Sequence, residues 1–345
     1  MQFSLLTAAT WIAYASGAAV DLLKRDTPLT VVLTSLGDSK VKASVTNNDA
    51  RGYNLFYRGT FLDGDSPVDK FTVNGPASRA SFNGILLRMA TTNLEATHFV
   101  PIEPGQTIST EVDVAELYDV ENTDRYTVRA TGSMPYAELN STTLSGESVA
   151  FSSNTLTLDI DGDKAKAVPY LAHKIAHKRT ELDTQGCTRE RGAALQTALS
   201  NCADLANNAA SAAQAGHKMQ EYFKSSSSSV IRTVAARFKA VADECATTNS
   251  GVTQSSCEDE YGACQSGVIA YTLPSQNYIA YCDIFYDDLQ AISKRCHGQD
   301  RATTVLHGTD DYAYGYSASR ALSSQQAVNN ADTYALYANA LYAGC

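Results

Sequence analysis

The sequence predicts two parts of different class: a β-sandwich over about residues 20–179, then a mainly helical α+β domain with disulfides over 180–345. Three observations predict this division. All eight cysteines lie at or beyond Cys187. The stretch before them reads as short alternating strands, and the stretch after them as amphipathic helices. A chain of 345 residues is long enough for two domains that each bury a core.

In the first part, Leu29–Leu33 and Val41–Val45 are β-branched and alternating, and Asn47-Asn48-Asp49 marks a turn. Lys70–Val73, Thr107–Val114, Tyr126–Ala130 and Thr155–Ile160 repeat the pattern, which is that of a sandwich. Asn140-Ser141-Thr142 is the only N-glycosylation sequon in the chain; such tripeptides arise by chance as readily as by use.

In the second part, Ala193, Leu195, Ala198, Leu199, Cys202, Leu205 and Ala209 recur at spacings of three and four, which predicts a helix. Glu221-Tyr222-Phe223 opens a second short piece. Ser225–Ser229 is a loop that can cap the next helix, in which Val230, Val234, Ala235, Phe238, Val241 and Ala242 form another apolar stripe. Residues 251–298 read as disulfide-bound loops with short strands. Gln299–His307 reads as a helix, and Ser323–Tyr342 as a terminal helix capped by Ser323 or Ser324.

The ends of these parts carry processing signals. Residues 1–19 have the short apolar run and the small residues Ala15-Ser16-Gly17-Ala18-Ala19 of a signal peptide, although no Lys or Arg precedes the run. An even cysteine count confined to one half implies disulfides and an oxidising compartment, so a secreted, extracellular protein is expected. Lys178-Arg179 stands between the cysteine-free and cysteine-rich parts and reads as a kexin-type cleavage site. Residues 20–179 are then a β-rich propeptide, and 180–345 the mature domain.

Composition narrows the partners. The formal charge is −10 and the pI about 5.1, against the basic face that nucleic-acid binding requires. No apolar run after the first twenty residues approaches the ~18 needed to span a bilayer. Hydrophobic residues make up 44% and mean hydropathy is −0.22, which excludes wholesale disorder. Residues 180–345 carry 11 Lys and Arg against 17 Asp and Glu, a formal charge of −6 that attracts cationic partners at low salt. A monomer is expected.

The polar residues near the C-terminus carry the chemistry. Ala302–His307 is followed by Gly308-Thr309-Asp310-Asp311-Tyr312-Ala313-Tyr314-Gly315, and then by Asn329-Asn330-Ala331-Asp332 and Tyr334–Asn339. With Tyr271-Thr272-Leu273-Pro274-Ser275 and Cys282-Asp283-Ile284, these runs resemble the deuterolysin family of fungal neutral proteases, which are aspzincin metalloendopeptidases. The resemblance spans signal, pro-region, dibasic site and catalytic half, and is specific in the last 75 or so residues.

The resemblance implies a zincin-like domain with one Zn²⁺, held by H-E-x-x-H on a helix and by the Asp of G-T-x-D-x-x-Y-G. Two His four apart share a helical face, and the Glu polarises the metal-bound water. Here His307 matches the first zinc ligand and Asp311 the third. Between them the Glu, the second His and a short loop are missing, roughly eleven residues against the motif pattern. His307 runs directly into Gly308. A gene model that skips a short segment, a natural deletion or splice form, and a retained pseudoenzyme each account for the gap; the intact Gly308–Gly315 run speaks against the last. His173 and His177 have helical ligand spacing but lie before the dibasic site with Lys174 in the base position. His217 and His297 are isolated, His297 beside Cys296 in a structural position, and His98 reads as a solvated strand end.

Further roles are implied by the resemblance. Tyr286 is either a substrate-cleft residue or a packing residue, and Asp332 either orients a metal ligand or caps and pairs locally. The implied disulfides are Cys187–Cys257, Cys264–Cys282 and Cys296–Cys345. Cys202 and Cys245 remain, on two successive predicted helices, as a plausible fourth bridge. The implied activity is zinc-dependent cleavage of extracellular proteins, with a preference for basic ones such as histones and protamines. The alternative is an inactive secreted homologue that keeps the fold and at most binds protein.

Overall fold

The computed structural model describes residues 27–170, 187–247, 251–306 and 312–345. The expected signal peptide, Lys178, Arg179, His173, His177, His307 and Asp311 lie outside these residues.

The N-terminal part runs through β1 (Leu29–Gly37), β2 (Lys40–Asn47), β3 (Tyr53–Phe56), β4 (Thr72–Asn74), β5 (Leu86–Met89), β6 (Phe99–Ile102), β7 (Thr107–Asp113), β8 (Asp124–Arg129), β9 (Thr131–Ala137), β10 (Leu144–Ser152), β11 (Leu156–Ile160) and the short α1 (Gly162–Lys166). The alternation in β1 and β2 buries Leu29, Val31, Leu33, Val41, Ala43 and Val45, as period-two patterning requires. A pair of facing sheets is the expectation from sequence. The ladders instead define three small sheets, ordered β1-β2-β7, β10-β9-β3-β6 and β11-β8-β4. The strands are short, and register shifts break the β1/β2 and β9/β10 ladders, so the sheets bend around one apolar core centred on Tyr53, Phe61, Phe71, Tyr118 and Tyr126. Asn140 is exposed, with a positive φ of 64°.

The C-terminal part comprises α2 (Arg189–Gln214), α3 (Met219–Phe223), α4 (Ser228–Ala246), β12 (Gln254–Ser256), β13 (Val268–Leu273), β14 (Tyr278–Tyr281), α5 (Asp283–Asp287), α6 (Arg301–Thr304), α7 (Tyr316–Ala321), α8 (Ser324–Val328) and α9 (Ala331–Ala343). Thr188 caps α2 by accepting from Arg191 N–H, and Ser227 caps α4 by accepting from Val230 N–H. The buried stripe of α2 is largely alanine, which lets α4 approach closely. Phe223, Phe238, Tyr334 and Tyr337 fill the space below, with ring centroids 5.0–5.5 Å apart.

Three expectations need correction here. The terminal helix is two helices, because Asn330 leaves the helical conformation and its buried side chain serves another segment. The helix expected from Gln299 begins only at Arg301, since Asp300 caps it, accepting from Thr303 N–H at 2.7 Å. Within the described residues it ends at Thr304. His98 is not solvated: it is 3% exposed and contacts Ser266 O at 3.0 Å.

Four disulfides join Cys187 to Cys257, Cys202 to Cys245, Cys264 to Cys282 and Cys296 to Cys345. They are confined to the C-terminal part. The Cys202–Cys245 bridge ties α2 to α4 across a sequence separation of 43, a loop whose closure is worth about 4 kcal/mol in the chain-entropy view.

One sheet crosses between the parts. Its order is β12-β14-β13-β5, with β12 parallel to β14 and the other pairings antiparallel. An apolar cluster follows it across: Phe56, Ile85, Leu87, Met89 and Phe99 pack with Val268, Tyr271, Leu273, Tyr278 and Ala280. Gly267 (φ +79°) makes the close approach possible, since a Cβ there would lie 3.0 Å from the His98 ring.

The fold predicts that reduction removes a large share of the C-terminal part's stability. Calorimetry with and without reductant is expected to lower its Tm by ten degrees or more, since domains hold only about 5–15 kcal/mol. A shift of a few degrees would contradict this.

Candidate active site and its covering strand

Every part of the candidate site converges on α6, the segment after residue 311, and the start of α9. Asp300 anchors α6 from a fully buried position. Its carboxylate accepts from Ser293 N–H, Thr303 N–H and the Thr303 hydroxyl at 2.7–2.8 Å. Burial pushes its pKa up, opposed by these hydrogen bonds. Arg301 donates through Nε to Phe285 O at 2.9 Å and also to Tyr286 O, tying α6 to α5.

The segment after 311 is held by two residues at the start of α9. Asn330 Oδ1 accepts from Tyr312 N–H and Ala313 N–H at 2.8 and 3.0 Å, and its Nδ2 donates to Ala313 O at 3.1 Å. Asp332 Oδ2 accepts from Gly315 N–H at 2.5 Å. Gly315 has φ +81°, which suits the sharp turn into α7. Asn330 is the site residue to which the sequence reading gave no role. Its only signal was its place beside Asp332, because a buried bidentate amide leaves no periodicity.

The other oxygen of Asp332 pairs with the guanidinium of Arg88, on β5 of the N-terminal part. Side-chain exposure is 12% for Arg88 and 4% for Asp332, so the pair is nearly dry. Arg88 stands 244 residues from Asp332 in the chain, so the pair is a long-range one and not the local pairing expected as one alternative. β5 is gripped on both edges. On one side it pairs with β13 in the register Arg88↔Ala270, Leu87↔Tyr271, Leu86↔Thr272. On the other, Tyr314 donates its hydroxyl to Leu87 O at 2.8 Å, and Gln299 donates through Nε2 to Met89 O at 2.7 Å. A cavity of about 690 Å³ lies beside the strand, lined by Leu86–Arg88, by Thr303, Thr304 and Leu306 of the α6 segment, and by Ala331 and Ala335 of α9.

Tyr286 lies elsewhere. It is 8% exposed, packs edge-to-face on Phe285 at 4.9 Å, and carries the Arg191 guanidinium 4.7 Å above its ring. It does not line the cavity. Burial pushes its phenol pKa well up. His297 (φ 58°) stacks on Tyr316 with centroids 3.7 Å apart and meets the Tyr222 hydroxyl at 2.8 Å.

The described residues do not by themselves make a catalytic zinc centre. Among the described residues no three His, Cys, Asp or Glu side chains stand together as metal donors. His307 and Asp311 lie outside them, and the chain has Gly308 where the family's pattern has Glu. Three protein ligands are the norm for such a centre.

This constellation stands in a chain of known kinship. The profile of the Deuterolysin metalloprotease (M35) family matches residues 1–345. The chain therefore belongs to that family, whose members are metalloendopeptidases. Among relatives, a neutral protease 2 homolog of Phaeosphaeria nodorum is 44% identical over 99% of both chains. One of Colletotrichum graminicola is 42% identical over the full length of both. That alignment runs over 361 positions, more than the 345 residues of this chain, so the relative carries residues without a counterpart here. A solved zinc peptidase from Grifola frondosa is 23% identical, covers 46% of this chain and 99% of its own, and superposes with a TM-score of 0.37.

His297 makes the site region sensitive to acid. Burial lowers its pKa below the ordinary value of 6.5, with Glu221 opposing. The folded protein therefore takes up fewer protons than the unfolded chain, and stability present above pH 6.5 declines as the pH falls below it. The Tm is expected to drop between pH 7 and 5, and His297→Asn, which tolerates the positive φ, should flatten that slope. An unchanged slope would contradict the assignment.

Proposed function

We propose that the chain is the precursor of a secreted deuterolysin-type protease, organised as a signal peptide (1–19), a β-rich propeptide (20–179) cut after Lys178-Arg179, and a domain over 180–345. The observation that carries this reading is the seating of β5 beside the segment that bears the family's Tyr314-Gly315: a strand from the expected propeptide covers the cleft that a protein substrate would need. The cysteine distribution supports an oxidising, extracellular destination. The formal charge of −6 on 180–345 supports a preference for basic proteins such as histones and protamines.

A second reading is favoured by one specific observation. His307 is followed at once by Gly308, so a Zn²⁺ ion on His307 and Asp311 would lack the third protein ligand and the Glu that acts on water. On this reading the chain keeps the fold of a neutral protease without its chemistry.

Material purified from culture medium tests both readings together. Its mass should correspond to a start at Thr180, and it should leave protamine uncut with or without added zinc. Insertion of a segment bearing Glu, His and a short loop after His307 should restore zinc-dependent cleavage; loss of a general base alone costs about 10²–10⁴-fold. A secreted species retaining residues 20–179 would contradict the precursor reading. Chelator-sensitive cleavage by the unmodified chain would contradict the second.

A further inference from the structure

We propose that His297 is an acid-sensitive latch at the join between the two parts: the seated N-terminal part fits a neutral imidazole, and a proton on His297 loosens the hold on β5 and the residues after it. Three observations put His297 in that position. It stands between two fixed points, the Cys296–Cys345 bridge on one side and Gln299 on the other. Gln299 grips the N-terminal part twice, donating through Nε2 to Met89 O at 2.7 Å and accepting through Oε1 from the Thr91 N–H and hydroxyl at 2.9 and 3.0 Å. The link from His297 to Gln299 is tightly packed, since a Cβ on Gly298 would lie 2.4 Å from Ser293 Oγ. A shift of His297 is therefore passed to Gln299 rather than absorbed between them. Finally, His297 lines a small cavity of about 30 Å³ together with Arg88, Thr91, Gln299, Asp332 and Asn339.

The charges around the ring decide which way a proton acts. Glu221 and Tyr222 of α3, Lys218 before it, and Tyr316 and Arg320 of α7 face the ring, which stacks on Tyr316 and meets the Tyr222 hydroxyl through Nε2. Asp332 faces it from α9. All of these belong to the C-terminal part and stay with the ring whether or not the N-terminal part is seated. Among the described charged groups that line the cavity, Arg88 alone arrives with the N-terminal part. Seated, it neutralises Asp332 and adds a cation to the cavity, and both effects disfavour a proton on His297. When it withdraws, Asp332 is left facing His297 and water reaches the ring. The seated state therefore binds fewer protons than the open one, and acid favours opening. The burial that holds the His297 pKa below 6.5 acts in the same direction.

The inference deepens the precursor reading by giving the N-terminal part a trigger for release, but its test needs no cleavage and so fails separately from that reading. Hydrogen exchange of residues 86–91 is measured on the intact full-length chain from pH 7 to pH 5, each rate divided by the intrinsic rate at that pH. Their protection is expected to fall about tenfold. That of β8 and β11, in the N-terminal part's own core, should change by less than about twofold. His297→Asn, which tolerates the positive φ, should hold the protection of 86–91 level. His98, the other histidine at the join, is retained in that variant, so the comparison separates the two. If His297→Asn does not fold, the wild-type imidazole is titrated by NMR, and its midpoint should coincide with the fall in protection. Constant protection of 86–91 between pH 7 and 5 would overturn the latch. So would an equal fall in β8 and β11, an undiminished slope in His297→Asn, or an imidazole midpoint displaced from the fall by more than about one pH unit.

Discussion

The ladder between β5 and β13 is the contact on which the rest of the arrangement depends. Strand β13 has β14 on one side; without β5 its other edge would present unpaired backbone groups. By supplying β5, the N-terminal part completes a sheet of the C-terminal part and extends an apolar cluster across the join. The smaller contacts depend on that alignment. His98 reaches Ser266 O, Arg58 donates to Gln265 at 2.7 Å, and Thr91 N–H donates to Gln299 at 2.9 Å. All three join the N-terminal part to the C-terminal part.

The Arg88–Asp332 pair shows why strand and site are coupled. A buried ion pair adds little net stability against an apolar alternative, yet breaking one side of it is costly. Asp332 also holds Gly315 N–H, and Asn330, two residues earlier, holds Tyr312 and Ala313. The turn after residue 311 and the strand from the other part therefore lean on the same first turn of α9. Asp300 does the corresponding work for α6 from the opposite wall. The described residues on both sides of positions 307–311 are thus held by buried hydrogen bonds to Asp300, Asn330 and Asp332.

Much of this was legible from sequence where one element answers to one pattern. Alternation marked β1, β2, β7, β8 and β11, and the three–four spacing marked α2 and α4. What stayed hidden depends on partners far away in the chain. Leu86-Leu87-Arg88-Met89 is too short to read as a strand by itself, and becomes one because β13, nearly 180 residues later, offers an edge. His98 reads as a strand end, yet it is buried, with Ser266 O of the other part against its ring. The Ala- and Tyr-rich terminal run has helical propensity throughout, but Asn330 breaks it to serve the 312–313 backbone. Asp332 was recognisable as a candidate, while its partner was not, because nothing local ties Arg88 to it.

Hydrogen exchange on the intact full-length chain tests the β5–β13 junction most directly. The account predicts that the amides of residues 86–90 and those on the facing edge of β13 exchange slowly and at a common rate, as one cooperative unit. Exchange of residues 86–90 at the rate of an open surface loop, with β13 protected independently of them, would contradict it.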